Sequence, residues 1–213
     1  MKCDKKSMLL YAVTDRTWLG VQTLAMQVEE ALMGGVTFVQ LREKNLDYAL
    51  FLEEAKKMKV LCKKYHVPFV INDNVDIAIA SDADGVHIGQ SDRKVSEVRS
   101  CLGADKIIGV SAQTVDQAIL AQQEGADYLG VGAVFSTSTK LDADSVSFQT
   151  LKSICKAVNI PVIAIGGINE NNILELSGTG IDGVAVISAL FEKTDIKSAT
   201  ENLCTLSKNM IKL

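Results

Sequence analysis

The segment from Val67 to Asn72 reads VPFVIN, a short and continuous apolar run that has a proline near its start. Such a run lacks the alternation of a strand with one solvated face, so it indicates a parallel strand that is buried on both faces. The segment from Ile160 to Ala164 reads IPVIA and has its proline in the matching place. A proline that opens a strand need not remove a ladder hydrogen bond, so both segments favour buried strands.

Eight runs of this kind recur along the chain at fairly even spacing, and stretches with apolar residues at helical spacing lie between them. Glycine-rich turn signals lie where a helix would end and the next strand begin, since glycine tolerates the left-handed conformation that ends many helices. The predicted strands are Met8–Thr14, Val36–Leu41, Val67–Asn72, Gly85–Ile88, Lys106–Val110, Tyr128–Val134, Pro161–Ile165 and Gly183–Ile187.

Eight strands that alternate with helices over 213 residues predict an α/β protein, a single (β/α)8 TIM barrel. No linker or low-complexity segment divides the chain, so we expect one catalytic domain over residues 1–213. A doubly wound open sheet is the alternative. That fold usually has fewer strands, and no G-x-G-x-x-G motif opens the first helical stretch.

Composition excludes several classes of protein. Hydrophobic residues make up 47% and charged residues 23% of the chain, which is typical of a globular protein and not of a disordered one. A net charge of −4 disfavours a nucleic-acid partner. The longest stretch without a charge, from Ala157 to Asn169, is too short to cross a membrane, and no secretory signal is evident, so we expect a cytoplasmic protein. Five cysteines without CxxC spacing give no signal for a zinc site, a redox pair or a disulfide framework.

A barrel of this kind has its catalytic groups just after the strands, at the carboxyl-terminal face. Gln40, at the end of the second predicted strand, alternates with Arg42 and Lys44 just after it, so their side chains lie on one side of an extended segment. Two cations and an amide donor in one place suit a polyanion such as a diphosphate. The alternative is that both cations pair with Glu43 or Asp47 on the surface.

Two carboxylates, Asp73 and Asp92, follow the third and fourth predicted strands. Carboxylates from adjacent strand ends, completed by phosphate oxygens and water, are a common arrangement for Mg²⁺. The alternative is that each aspartate caps the following helix. His87, near the end of the fourth strand, is interpreted as a hydrogen-bonded lining residue, and a general base is the alternative.

Gly166 and Gly167 after the seventh strand, with Ser188 after the eighth, occupy the place where many barrels bind a phosphate monoester. The segment from Ser136 to Ser145 contains hydroxyls and Lys140, a composition that suits either a lid over ligands or an ordinary surface loop. A face that binds a diphosphate with Mg²⁺ and, separately, a monophosphate, but has few general bases, indicates displacement of pyrophosphate by a nucleophile that needs no deprotonation. Cations there would stabilise the charge that grows on the leaving group.

The sequence resembles the thiamine phosphate synthase family from about Leu9 to Leu190. No single motif is specific to the family, but the order and spacing of seven motifs together are. The motifs that carry the resemblance are Gln40–Lys44, Ile71–Asp73, Ala83–Asp92, Gly109–Ser111, Thr137–Lys140, Ala164–Ile168 and Val186–Ser188.

The resemblance implies a transferase that joins hydroxymethylpyrimidine diphosphate to a thiazole phosphate, giving thiamine phosphate and pyrophosphate by a dissociative reaction. It implies Mg²⁺ on Asp73 and Asp92, and catalytic roles for Arg42, Lys44, Ser111 and Lys140. The residues implied to contact the pyrimidine diphosphate are Gln40, Leu41, Arg42, Glu43, Lys44, Asn72, Ser111 and Lys140. Those implied to contact the thiazole phosphate are Thr137, Ser138, Thr139, Gly167, Ile187 and Ser188.

Two other functions stay open at this point. A related thiazole tautomerase would have a histidine after the fifth strand, where this chain has Ser111-Ala112-Gln113. A non-catalytic barrel that binds a phosphate ligand would have no use for carboxylates facing cations. The sequence leaves open a homo-oligomer, and it leaves open whether the thiazole substrate has an additional carboxylate.

Overall fold

A computed structural model describes residues 3–136 and 145–211 of the chain. Eight parallel strands form a closed barrel in sequence order, because β1 pairs with β8 as well as with β2. The predicted TIM barrel is therefore confirmed. The strands are β1 Leu10–Val13, β2 Phe38–Leu41, β3 Phe69–Asn72, β4 Gly85–Ile88, β5 Ile107–Ala112, β6 Tyr128–Val131, β7 Val162–Ile165 and β8 Gly183–Val186.

Helices surround the barrel and cover its outer face. Within the described ranges the α-helices are α1 Leu24–Met33, α2 Tyr48–Lys64, α3 Val75–Ala80, α4 Val95–Leu102, α5 Val115–Gln123, α6 Phe148–Ala157, α7 Ser188–Phe191 and α8 Ile196–Ile211. The connection from β7 to β8 differs from the simple alternation, because it has only a short 3₁₀ turn, Ile173–Leu176. Asparagine side chains there bond backbone groups, as Asn172 Oδ1 does with the Asn169 N–H at 2.9 Å, which favours turns over a helix. Of the described helices, none has the length and apolar character needed to span a membrane.

The strands separate two cores, because successive side chains of a strand point to opposite faces. Outward-facing residues such as Leu41, Ile71 and Val110 pack beneath the helices. A second cluster fills the barrel, and it includes Tyr11 and Tyr128. Burial on both faces explains why the strands read as continuous apolar runs in the sequence.

The amino-terminal end of the barrel is joined by a repeated side-chain contact. The residue that precedes each even-numbered strand accepts a hydrogen bond from a backbone N–H near the start of the strand before it. These contacts are Leu10 N–H to Thr37 Oγ1, Phe69 N–H to Asp84 Oδ2, Ile108 N–H to Asp127 Oδ2 and Val162 N–H to Asp182 Oδ2, at 2.8–2.9 Å. They fix that end of the barrel, and the opposite end is left for the loops of the site.

Candidate active site

A cavity of about 480 Å³ opens at the carboxyl ends of the strands, the face where the sequence predicts the site. Every strand, or the loop after it, contributes to the lining. The predicted site residues that line this cavity are Gln40, Arg42, Lys44, Asn72, Asp73, Asp92, Ser111 and Ile187. A smaller cavity of about 240 Å³ shares Arg42 and Lys44 with it.

Arg42 is fixed at the boundary of the two cavities. Its guanidinium Nη1 donates to Asp15 Oδ2 at 3.1 Å, and the two side chains are only 14% and 15% exposed. The Arg42 backbone N–H donates to Thr14 Oγ1 at 3.0 Å. The described contacts therefore differ from the surface alternative for Arg42, since its carboxylate partner is Asp15. Asp47 instead caps α2 through the Leu50 N–H.

Two residues of the same segment have their side chains outside the larger cavity. Leu41 is fully buried in the outer core, as the alternation of the strand requires. Glu43 accepts from Arg16 Nε at 2.7 and 2.9 Å and is 3% exposed. This hydrogen bond raises the pKa of the Arg16 guanidinium, which also contacts Glu54. The structure thus does not bring the Leu41 side chain into the cavity, and it places Glu43 in an ion pair.

The two aspartates face the cavity and do not cap helices. Asn74 caps α3, and α4 has Lys94 at its start with no side-chain cap. Asp73 has a φ of 60°, a left-handed conformation, and its N–H donates to the His87 carbonyl at 2.8 Å. Asp92 Oδ2 accepts from the Gly89 N–H at 2.6 Å, which shapes the loop after β4.

This donor set fits a hard divalent cation, which takes oxygen ligands and keeps several waters. Both carboxylates line the cavity that Arg42 and Lys44 also line. Among the residues the structure describes, no group of three or more histidine, cysteine, aspartate or glutamate side chains could hold a metal alone. A metal at Asp73 and Asp92 would therefore need oxygen ligands from a substrate and from water.

The turn after β7 approaches the loop after β6 closely. Gly166 and Gly167 have φ values of 102° and 65°, which glycine adopts without strain. A Cβ on Gly166 would come within 2.5 Å of the Ala133 Cβ, and one on Gly167 would overlap the Ser136 carbonyl oxygen. Only glycine fits both places, so the backbone itself forms this wall of the site.

The residues predicted for the phosphate site lie only partly in the lining of the cavity, since Gly167 and Ser188 are not among its lining residues. Gly166 and Ile187 line the cavity, and Ser188 follows Ile187 as the first residue of α7. The predicted contacts Thr137, Ser138, Thr139 and Lys140 lie outside the described residues, as does most of the segment interpreted as a lid.

A chain of buried polar side chains forms the floor of the cavity. His87 Nδ1 lies 2.9 Å from the Tyr128 hydroxyl, and its Nε2 lies 3.0 Å from Ser111 Oγ. The Tyr128 hydroxyl in turn lies 2.8 Å from that of Tyr11. His87 is thus a hydrogen-bonded lining residue, as the sequence indicates. The tyrosines were not among the predicted site residues. Gly109, where a Cβ would overlap the Tyr128 ring, is a sequence signal for one of them.

The model of the thiamine monophosphate synthase family matches residues 10–190. The thiamine-phosphate synthase of Clostridium tetani (strain Massachusetts / E88) is 56% identical over 194 residues, which are 91% of this chain and 93% of that protein. The thiamine-phosphate synthase of Methanobrevibacter smithii is 54% identical over 176 residues, 83% of this chain and 84% of that protein. The likeness in sequence therefore covers nearly all of the barrel.

Solved structures give the same result. Thiamine phosphate pyrophosphorylase from Pyrococcus furiosus superposes with a TM-score of 0.90 at 38% identity, covering 97% of this chain and 98% of that one. The (S)-3-O-geranylgeranylglyceryl phosphate synthase from Thermoplasma acidophilum, at 15% identity and a TM-score of 0.69, covers 95% of this chain and 94% of that one. That second likeness shows the fold alone.

Proposed function

Because this chain belongs to the thiamine monophosphate synthase family, we propose that it is a transferase that makes thiamine phosphate. Its substrates would be 4-amino-2-methyl-5-(diphosphomethyl)pyrimidine and 4-methyl-5-(2-phosphoethyl)thiazole or its carboxylated form, and its second product pyrophosphate. The carboxylated form would in addition release carbon dioxide. The relatives' names support the activity. The substrates and the course of the reaction are our proposal.

One observation carries this proposal: cations and carboxylates from neighbouring strand ends line a single cavity. Arg42 and Lys44 follow β2, whereas Asp73 follows β3 and Asp92 follows β4. A diphosphate can satisfy both sets at once, since its oxygens accept from guanidinium and ammonium groups and also complete the shell of a metal. A monophosphate alone would leave much of this charge unused.

The proposed magnesium ion would be held by Asp73 and Asp92. When bound there, Mg²⁺ would neutralise charge on the diphosphate and on the pyrophosphate that departs.

The proposed reaction needs little acid–base catalysis by the protein. The bond between the pyrimidine methylene carbon and the diphosphate oxygen breaks, and its electron pair leaves with pyrophosphate. The thiazole nitrogen then donates its lone pair to that carbon, so no proton has to be removed. Arg42 and Lys44 would stabilise the charge that develops on the leaving group, an effect that preorganised cations supply most strongly. Lys140, outside the described residues, is proposed to add a third cation.

The second substrate is proposed to bind on the β7–β8 side of the same cavity. Backbone N–H groups near Gly167 and Ser188 are suitable donors for a phosphate monoester. The hydroxyls of Thr137, Ser138 and Thr139, which lie outside the described residues, are proposed to contact the same phosphate. The thiazole phosphate and the diphosphate would then bind on opposite sides of the cavity, and the reacting atoms of the two substrates would meet in the space between.

The environment of the protein forms a further part of the proposal. All five cysteines are unpaired, which agrees with a reducing cytoplasm. The net charge of −4 gives no support to a nucleic-acid partner. A homo-oligomer remains a prediction for a sedimentation measurement.

Mass spectrometry tests this function directly. The purified protein, given both substrates and Mg²⁺, should form thiamine phosphate and pyrophosphate in equal amounts, and EDTA should stop both. A non-catalytic phosphate-binding barrel would bind ligands and form neither product. A tautomerase would isomerise a thiazole substrate without any need for the pyrimidine. Either of those outcomes contradicts the proposal.

A further inference from the structure

A continuous string of hydrogen bonds crosses the barrel interior from β2 to β5. It starts at Gln40 Nε2, which donates to the Tyr11 hydroxyl at 2.7 Å. The string continues to the Tyr128 hydroxyl at 2.8 Å and then to His87 Nδ1 at 2.9 Å. It ends where His87 Nε2 meets Ser111 Oγ at 3.0 Å, at the cavity wall.

The string is shielded from solvent from Gln40 to His87, and it ends at the half-buried Ser111. Tyr11 and Tyr128 are fully buried, and Gln40 and His87 are 5% and 9% exposed. Hydrogen bonds in such surroundings keep a fixed geometry, because water does not compete for the donors and acceptors.

Glycines on adjacent strands make room for the rings of the string. Gly109 is in register with both His87 and Tyr128, and a Cβ at Gly109 would overlap the Tyr128 ring. A Cβ at Gly130 would lie 3.1 Å from His87 Cε1, which is tighter than ordinary contact. Backbone positions of β5 and β6 therefore fix both rings, and with them the place of the hydroxyl of Ser111.

The number of protons available on each group determines which group donates in each hydrogen bond of the string. Burial raises the pKa of both tyrosines, so each keeps one hydroxyl proton to donate. Because Gln40 Nε2 donates to the Tyr11 hydroxyl, the proton of Tyr11 has the Tyr128 hydroxyl as its one described acceptor. The proton of Tyr128 then goes to His87 Nδ1, which lies 2.9 Å away. The histidine proton is then on Nε2 and is donated to Ser111 Oγ. The opposite direction would need the Gln40 oxygen at Tyr11.

We propose that Tyr11, Tyr128 and His87 are positioning residues that make the Ser111 hydroxyl a donor toward the pyrimidine diphosphate. Ser111 Oγ accepts from the imidazole, which leaves its own proton for an acceptor atom of that substrate. In the opposite direction Ser111 would donate its proton to His87, and it could then only accept a hydrogen bond from the substrate. A second contact supports the fixed position, since Gln90 Nε2 donates to the Ser111 carbonyl at 2.7 Å. This inference rests on the proposed function for the identity of the ligand.

The tautomer of His87 is the first test, and it needs no activity. The chain has only two histidines, so ¹⁵N-histidine labelling gives two imidazoles, and a His66→Asn variant assigns them. His66 is exposed with a φ of 57°, a conformation that asparagine tolerates. In the neutral imidazole, NMR should place the proton of His87 on Nε2. A proton on Nδ1 would reverse the string and overturn the proposal.

A double-mutant cycle on the active enzyme is the second test. Tyr128→Phe keeps the ring but removes the donor to His87, and it should lower kcat/KM for the pyrimidine diphosphate about five- to tenfold, the loss of one buried hydrogen bond. The KM for the thiazole phosphate should stay the same. In a Ser111→Ala background the same change should have no further effect, because Tyr128 acts through Ser111.

Tyr65→Phe is the matched control, since it removes an outer phenol that bonds Glu29, and it should leave activity unchanged. Thermal unfolding would confirm that each variant folds. Equal losses from Tyr128→Phe with and without Ser111 would overturn the positioning role while thiamine phosphate is still made. A wild-type protein that makes no thiamine phosphate would instead refute the proposed function, and the tautomer result would still hold.

Discussion

Replacing Arg42 with glutamine removes a cation that lines both cavities and leaves the Asp15 carboxylate, which also accepts from Thr17, without its cation. A hydrogen bond to a charged group contributes about 1.5–3 kcal/mol, and more of it is retained where solvent is excluded. Arg42 and Asp15 are only 14% and 15% exposed, so we take the upper part of that range, about 2–3 kcal/mol. At about 1.4 kcal/mol for each factor of ten, kcat/KM for the pyrimidine diphosphate should fall about 30- to 150-fold.

Part of this loss should come from Asp15 itself. Once unpaired, its negative charge repels the diphosphate, by on the order of 1 kcal/mol at the effective dielectric of a partly exposed site. Adding Asp15→Asn to Arg42→Gln should therefore recover about fivefold in kcat/KM. Lys57→Gln is the matched control, because Lys57 is 58% exposed and pairs with Glu53 on the outer surface.

Steady-state release of pyrophosphate, measured at saturating thiazole phosphate, gives kcat and KM for each variant. A kcat/KM for Arg42→Gln within about twofold of the unaltered protein would refute the assignment of the diphosphate to this cation. A double variant no better than Arg42→Gln would refute the repulsion by Asp15.

Asp92→Asn should raise the Mg²⁺ concentration needed for half-maximal rate about tenfold or more, because a neutral amide is a weaker ligand. Calorimetry should show unchanged binding of thiazole phosphate. An equal loss of Mg²⁺ activation and of thiazole phosphate binding would make Asp92 structural. Ser188→Ala should raise the KM for thiazole phosphate about fivefold, and a loss confined to the pyrimidine substrate would contradict that role. Asp127→Ala should lower the free energy of unfolding in urea by about 2–4 kcal/mol, because the Ile108 N–H and Arg99 both lose a partner. Activity per folded molecule should be unchanged there, and unaltered stability would show that the amino-terminal contacts contribute little.

Much of the barrel could be predicted from the sequence, because strands buried on both faces read as continuous apolar runs. Two predicted strand ends differ from the observed ones. Ser111, expected just after the fifth strand, lies within β5, which extends to Ala112. The strand predicted to end at Val134 ends at Val131 instead.

The direction of the side chains in the site could be predicted, because successive side chains of a strand point to opposite faces. That rule places Gln40 and Arg42 toward the cavity and Leu41 toward the helices. The resemblance to the family alone does not separate them, since it treats Gln40 to Lys44 as one block. The rule applied residue by residue separates the Leu41 side chain from those that line the cavity.

Partners distant in sequence could not be predicted. The bond between Tyr11 and Tyr128 joins residues 117 positions apart, and it exists only because the barrel closes. The pairing of Arg42 with Asp15 similarly depends on the loop after β1 lying beside the loop after β2. Glu43 and Asp47 are nearer to Arg42 in sequence. In the structure, however, Glu43 pairs with Arg16, and Asp47 caps α2.

A crystal structure of the protein with Mg²⁺, pyrophosphate and thiamine phosphate is the most direct measurement of where the leaving group binds. We expect pyrophosphate on Arg42 and Lys44, and a metal that joins it to Asp73 and Asp92. Pyrophosphate bound instead at Gly167 and Ser188, with the cations of β2 touching no ligand, would contradict the account.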